Sequence, residues 1–219
     1  KEVEEKVKAG KIDPFVKVNL MKFSPEIEDP RLYDADREIR VGFLTITGNP
    51  LNWGHILISL MSMNALELDT VVIRVQGEIS YKSLLASERV SQEERHYMVR
   101  EAIKGLFPLI RYTDLGSEPN NDEEGASEMH RFLNMNAGRK IHLYYLIGAE
   151  NEARMWKYMR QQHEMFQRYN FGGNPNHKVT FSVIQRGEYG ARVTIEELRE
   201  IAKKTQEGTS SNQALNVVL

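Results

Sequence analysis

The 219-residue sequence contains no cysteine, and this absence excludes several classes of protein. A chain without thiols forms no disulfide scaffold, no thiolate zinc site and no cysteine-ligated iron–sulfur cluster, and it has no cysteine nucleophile. Long apolar runs are also missing, because none approaches the ~18–20 residues that span a bilayer. Residues 1–11 mix charges and do not form the apolar core of a signal peptide. We therefore expect a soluble, cytoplasmic protein that works away from membranes.

An excess of charge of one sign is missing as well. The chain has 29 Lys and Arg residues against 31 Asp and Glu residues, for a formal net charge of −2. This balance argues against a protein built to coat nucleic acid. The hydrophobic fraction of 41% is too high for a disordered chain, and the length suits one domain, or one domain with an appendage. We expect no nucleic-acid partner.

The first 39 residues differ from the remainder of the chain. Nineteen of the first forty residues are charged, against 27% of the whole sequence, and Pro14, Pro25 and Pro30 interrupt any long helix. This composition predicts a charged N-terminal extension, residues 1–39, made of a short helix and a loose arm that either lies at the periphery or docks on the domain or on a partner. Only Val3, Val7 and a few residues around 15–21 are apolar enough to pack. The extension precedes a domain that spans residues 40–219.

From residue 40 onward, short apolar runs alternate with helical patterns. The apolar runs predict strands at 41–46, 71–75, 109–113, 142–147 and 179–184, and helical spacing appears at 55–68, 91–106, 122–136, 150–169 and 194–205. Strands separated by helices of this length predict an α/β fold with a doubly wound, five-stranded parallel sheet. Because ligands of such sheets bind beyond the carboxyl ends of the strands, the turns after residues 46, 75 and 147 are candidate binding positions.

The turn after the first predicted strand carries the most informative residues. Gly48 and Gly54 allow the backbone to approach a ligand closely. The helix that begins there presents unpaired N–H groups and the positive end of its dipole, which suit a phosphate. Asn52 and His55 are spaced so that both side chains can point into the same space. Neither a P-loop nor a dinucleotide-binding glycine pattern is present. On local chemistry alone, a tight strand-to-helix turn without a ligand is an equal alternative.

Residues 46–55 resemble the first signature of the nucleotidylyltransferase superfamily, Gly-[Ser/Thr]-Phe-[Asp/Asn]-Pro-x-His-x-Gly-His. Four positions match and a fifth fits the Ser/Thr position, namely Asn49, Pro50, Gly54, His55 and Thr47. The opening Gly, the Phe and the first His are replaced by Ile46, Gly48 and Asn52. Segments similar to those of nicotinate and nicotinamide mononucleotide adenylyltransferases follow in the same order, at Lys82, the Arg95–Met98 spacing, residues 145–151 and Ser210-Ser211.

The resemblance implies a Rossmann-like nucleotidylyltransferase fold and an adenylyltransferase. Such an enzyme joins the AMP part of ATP to nicotinate or nicotinamide mononucleotide and releases pyrophosphate, with Mg²⁺ bound through the ATP phosphates. The resemblance also allows a homo-oligomer. By this resemblance the catalytic residues are His55 and Asn52. The implied nucleotide-binding residues are Ile46, Thr47, Gly48, Gly54, Gly148, Glu150, Ser210 and Ser211, and the implied substrate-binding residues are Lys82, Arg95 and Trp156.

Other interpretations stay open. A degenerate member of the fold would bind a nucleotide or a partner without catalysis, since Asn52 replaces a His and Leu215 stands where the second signature has its phosphate-binding Arg. A related transferase would use another nucleotide or acceptor. The second signature aligns either with Ser210-Ser211 or with residues 194–199, which restore an Arg but lose both serines. The six histidines lack the spacing of a zinc site, so we expect no metal held by the protein itself. Relatives usually continue through another helix, so we expect the chain to continue beyond Leu219.

Overall fold

A computed structural model describes residues 1–20, 29–77, 90–117, 126–148 and 173–184, together with positions 196 and 200. The elements in chain order are α1 (Glu2–Lys8), β1 (Ile39–Ile46), α2 (Trp53–Leu66), β2 (Thr70–Val75), α3 (Gln92–Ile103), β3 (Ile110–Thr113), α4 (Ala126–Met135), β4 (Ile141–Gly148) and β5 (His177–Ile184). A short 3-10 turn, Lys104–Leu106, extends α3. In these ranges no helix is long and apolar enough to cross a membrane.

The five strands form one sheet in the order β3-β2-β1-β4-β5, and every neighbouring pair is parallel. The predicted α/β fold with a five-stranded parallel sheet is therefore confirmed, and each predicted strand overlaps an observed one. β2 and β3 lie on one side of β1, whereas β4 and β5 lie on the other. The strand order thus reverses between β1 and β4, which is where ligands of open α/β sheets bind.

Helices cover both faces of the sheet because the strands are apolar on both sides. Alternate side chains of β1 enter two separate hydrophobic clusters: Val41 and Phe43 in one, Leu44 and Ile46 in the other. The first cluster includes the α4 side chains, and the second includes side chains of α2 and α3. Strands buried on both faces are typical of parallel sheets, and they account for the near-continuous apolar runs in the sequence.

Helix starts follow local side-chain chemistry. Ser91 caps α3: its hydroxyl accepts from the Glu94 N–H, and the Glu94 carboxylate accepts from the Ser91 N–H. This capping box is the one that the Ser91–Glu94 spacing predicts. The second helix begins at Trp53, two residues before the predicted start, because Asn52 caps it. The predicted helices 150–169 and 194–205 lie outside the described residues, apart from positions 196 and 200.

The N-terminal segment is packed against the domain over residues 12–20, which corresponds to the docked arrangement that the sequence left open. After the short helix α1, the side chains of Ile12, Val16, Val18 and Leu20 are buried in the two hydrophobic clusters. Arg111 of β3 donates to the carbonyls of Pro14 and Val16, and the Thr113 hydroxyl donates to the Leu20 carbonyl. Alternating apolar side chains and these backbone acceptors hold the segment against the sheet, despite the many charges around it.

Candidate functional site

The turn between β1 and α2 joins Asn52 and His55 by two reciprocal hydrogen bonds. The Asn52 side-chain oxygen accepts from the His55 N–H at 3.2 Å, and the His55 Nδ1 accepts from the Asn52 N–H at 3.2 Å. An imidazole whose Nδ1 accepts carries its proton on Nε2 in the neutral form. The pairing therefore places the proton of a neutral His55 on Nε2 and does not use the Asn52 amide NH₂.

The first turn of α2 offers further donors. The N–H groups of Trp53 and Gly54 belong to the first helical turn, where backbone donors have no intrahelical acceptor. No acidic residue lies in this turn, so the positive end of the helix dipole is not offset by a carboxylate. Asn52 is exposed and His55 is half-buried, which leaves both within reach of a ligand. This arrangement suits an anion such as a phosphate.

Gly48 and Gly54 occupy positions where a side chain would crowd the turn. Gly48 has a φ of +74°, and a Cβ there would lie 3.0 Å from Val99 Cγ2 and 3.1 Å from Val75 Cγ1. A Cβ on Gly54 would lie 3.0 Å from the Asn52 Oδ1. Both glycines thus preserve the shape of the turn, the first through its left-handed backbone and the second by leaving room for the cap.

Arg95 ties the carboxyl ends of β1 and β2 together beneath this turn. Its side chain projects from α3 and is 1% exposed. The guanidinium donates to the Thr47 carbonyl at 2.6 Å, to the Gln76 carbonyl at 2.7 Å and to the Gly77 carbonyl. The sequence predicts Arg95 as a substrate contact, whereas the structure places it under the turn with these backbone acceptors. The Arg95–Met98 spacing in the sequence does not indicate these hydrogen bonds to the backbone.

The end of β4 approaches the same turn from the other side. The register between β1 and β4 pairs Leu44 with Leu146, so Ile46 and Gly148, each two residues further on, lie at the same level of the sheet. Thr47 continues from β1, and its hydroxyl lies 3.4 Å from the Gln76 Oε1. Two predicted nucleotide-binding residues, Ile46 and Gly148, therefore lie at the crevice where the strand order reverses, whereas Thr47 and Gly48 lie beside Gln76 and Val75 at the end of β2.

Sequence reasoning missed the buried charges on β2 and α3. Arg74 of β2 and Glu128 of α4 form a fully buried ion pair at 3.3 Å. His96 of α3 lies 2.5 Å from the Tyr112 hydroxyl. Burial, followed by the positive charges of Arg95 and Arg74, lowers the pKa of His96 to about 4, so this imidazole is neutral at pH 7. One sequence signal could have revealed the pair: Arg74 interrupts an otherwise apolar strand, and a buried cation needs a partner.

Five predicted site residues lie outside the described part of the chain, namely Lys82, Glu150, Trp156, Ser210 and Ser211. Among the described residues, no group of three or more His, Asp or Glu side chains could hold a metal ion. The described site therefore consists of Asn52, His55 and the backbone of the turn, supported from below by Arg95.

Neither a scan against models of known protein families nor a search of curated proteins finds a match to this chain. The resemblance to nucleotidylyltransferases is carried by the residues of the turn and by their order along the chain, and it stays a prediction.

Proposed function

We propose that the chain transfers the adenylyl group of ATP to the phosphate of a mononucleotide and releases pyrophosphate. Nicotinate and nicotinamide mononucleotide are the acceptors that the sequence resemblance favours. One observation carries the proposal: Asn52 and His55 are hydrogen-bonded to each other at the start of α2, beside the crevice between β1 and β4. This is the position at which the first signature of the family would bind the ATP phosphates.

The donors at this turn match the charge of a triphosphate. The His55 Nε2–H, the Asn52 amide and the N–H groups of Trp53 and Gly54 are held by the backbone of the turn and the first helical turn. Donors that are fixed before the substrate binds stabilise developing negative charge without reorganising during the reaction. Arg95 contributes indirectly, because it fixes the Thr47 carbonyl, and with it the path of the turn.

The proposed reaction needs no nucleophile from the protein. An ionised oxygen of the acceptor phosphate attacks the α-phosphorus of ATP, the bond from that phosphorus to the bridging oxygen breaks, and pyrophosphate leaves with the electron pair. The chain contributes positioning and charge stabilisation, which dominate in phosphoryl transfer. Mg²⁺ held by the ATP phosphates would neutralise part of the charge on the leaving group. In the described part of the site all the assigned groups are hydrogen-bond donors, which suits a metal ion carried by the substrate.

A second candidate function is nucleotide binding without turnover. The observation that favours it is Asn52, a neutral amide where the signature has a histidine, with its side-chain oxygen engaged in capping α2. Removing one fixed donor at a transition state typically costs ~10²–10³ in rate. A protein that keeps the phosphate site, but has a neutral amide donor where the signature has an imidazole that can carry a positive charge, could bind ATP and release it unchanged.

The test is pyrophosphate release with ATP, Mg²⁺ and a panel of mononucleotide acceptors. We expect turnover with at least one acceptor, and we expect His55→Ala to abolish it. His55→Glu is the matched variant, because a Glu at this position can still accept from the Asn52 N–H, as Glu94 does from Ser91. This variant keeps the cap, loses the imidazole donor and should be inactive but folded. ATP binding with no turnover for any acceptor would favour the binding function, and unchanged turnover in His55→Ala would refute the site.

A further inference from the structure

Glu67 ends helix α2 in an unfavourable backbone conformation. Its φ of +51° is left-handed, and among the described residues it is the one non-glycine residue with a positive φ. Glycine is the usual residue at such a helix end, because it has no Cβ to crowd the left-handed backbone. The carboxylate also lies at the end of the helix where the dipole is negative, which disfavours an anion. A residue held against two local preferences indicates a contact that depends on it.

Three cations from different parts of the chain surround this carboxylate. The Lys6 Nζ lies 3.4 Å from Oε1, the Arg40 Nη1 lies 3.3 Å from Oε2, and the Lys11 Nζ lies 3.9 Å from Oε1. Lys6 of α1 also donates to the Asn64 carbonyl in the last turn of α2 at 2.6 Å. The hydrogen bond from Arg40, followed by that from Lys6, holds the pKa of Glu67 below its ordinary value, so the carboxylate is ionised at pH 7.

Helix α1 has few other contacts that hold it in place. Val3 is its one buried side chain, and Val7 is half-buried against the hydrophobic cluster on the α2 side of the sheet. The Asn64 amide donates to the Glu2 carboxylate at 2.6 Å. The helix has 7 residues, and isolated helices shorter than ~12–15 residues are marginal in water. Helix α1 is therefore helical because it is docked on α2.

The contacts of the chain change directly after α1. Gly10 has a φ of +69°, and a Cβ there would meet no atom within 4 Å, so the turn is open. From Ile12 onward the segment is anchored: Ile12 is buried, and the Asp13 N–H donates to the buried Asp69 carboxylate at 3.0 Å. The boundary between a weakly held helix and an anchored segment thus lies at residues 10–12.

We propose that α1 is a salt-sensitive conformational switch: it docks on α2 at low ionic strength, and detaches and unfolds as a unit at high ionic strength, while residues 12–20 stay packed. Docking depends on the Glu67 carboxylate. Segments with few buried apolar contacts are the ones that open locally. Salt weakens the attraction between partly exposed charges, since the Debye length falls from about 8 Å at 0.15 M to about 3 Å at 1 M. Helix α1 contacts the end of α2 opposite to Asn52 and His55, so the test needs no nucleotide.

Amide hydrogen exchange of the full chain, measured by NMR, tests the switch. The Glu5 and Ala9 N–H groups donate within α1 to the Lys1 and Glu5 carbonyls. Raising NaCl from about 0.1 M to about 1 M should speed their exchange about tenfold and leave that of the β1 amides unchanged. Glu67→Gln should show the faster exchange already at low salt and lose most of the salt dependence.

Glu101→Gln is the matched control for the loss of a carboxylate. Glu101 is similarly exposed and pairs with Lys104 and Arg100 beside α3. Its replacement should leave the exchange of the α1 amides unchanged, because none of these residues contacts α1.

Glu67→Gly separates the charge from the backbone geometry. Glycine relieves the left-handed conformation but removes the carboxylate, so the α1 amides should exchange about tenfold faster, as in Glu67→Gln. If the backbone of the helix end determined docking, the same variant would slow their exchange. Slower exchange in Glu67→Gly, unchanged exchange in Glu67→Gln, an equal effect of Glu101→Gln, or α1 amides as protected as those of β1 at both salt concentrations would overturn the proposal.

Discussion

Replacing Arg95 by methionine tests whether the buried guanidinium holds the carboxyl ends of β1 and β2 in place. The side chain donates to the carbonyls of Thr47, Gln76 and Gly77. Methionine fills much of the same space but donates to none of them. The three carbonyls lose their charged donor, and the turn that carries Asn52 and His55 loses its support from below.

The structure sets the size of the expected loss. A hydrogen bond from a charged donor contributes about 1.5–3 kcal/mol to stability. If the three bonds were additive, their loss would lower the free energy of unfolding by roughly 4–9 kcal/mol. Water can reach the half-buried residues Thr47 and Gln76 in the variant and replace part of this interaction. We therefore expect Arg95→Met to lower the free energy of unfolding by about 3–5 kcal/mol. Arg95→Lys keeps the positive charge but not the planar guanidinium group, so its free energy of unfolding should fall less than that of Arg95→Met.

Urea unfolding without ligand, followed by calorimetric titration with ATP, separates the two roles of Arg95. A positioning residue lowers the stability of the free protein and weakens ATP binding in the variants that stay folded. A residue that only contacts the mononucleotide would leave the free protein's stability unchanged and raise the KM for that substrate. If the free energy of unfolding of Arg95→Met lay within about 0.5 kcal/mol of that of the unmodified protein, the range of an ordinary surface substitution, the positioning role of Arg95 would be refuted.

Three further predictions follow from the packing around the site. Burial keeps His96 neutral down to about pH 4, whereas a His in the unfolded chain binds a proton near pH 6.5. Lowering the pH from 6.5 to 4 should therefore reduce the free energy of unfolding by about 3 kcal/mol more in the unmodified chain than in His96→Gln. Urea titrations in which both proteins lose the same stability over this range would contradict the prediction. Gly48→Ala should cost about 1–3 kcal/mol through its positive φ and its contact with Val99, and Gly138→Ala, with no atom within 4 Å, is the matched control in the same assay. Leu20→Ala should lower the free energy of unfolding, measured with urea, by about 2–5 kcal/mol, and a change near zero would show that the segment is not packed against the sheet.

The sheet could be predicted because its signals are local. Each strand is a short apolar run, and Ser91 with Glu94 marks a helix start within four residues. The docking of the N-terminal segment could be predicted only as one of several alternatives, because its contacts lie far away along the chain. Val16 and Val18 lie in a mostly apolar stretch that is able to pack, but the contact that holds the segment comes from Arg111 on β3. The composition of the segment shows how many charges it carries, but it does not indicate which face of the sheet the segment covers.

The site was predictable in part for the same reason. The spacing of Asn52 and His55 brings both residues to one helix start, and the structure joins them by two hydrogen bonds. The role of Arg95 depends on how α3 is rotated relative to the sheet, which the spacing within the helix does not reveal. The ion pair between Arg74 and Glu128 joins a strand to a helix on the other face from α3, so only tertiary packing brings its partners together.

The measurement that most directly tests the central proposal is a ³¹P NMR spectrum of the reaction products. The chain is incubated with ATP, Mg²⁺ and nicotinate mononucleotide, and in parallel with nicotinamide mononucleotide, with His55→Glu as the inactive control. Adenylyl transfer predicts that the ATP signals decay while those of pyrophosphate and of a dinucleotide diphosphate rise together. ADP or inorganic phosphate as the product would mean attack at a different phosphorus, and an unchanged ATP spectrum with both acceptors would contradict the proposed activity.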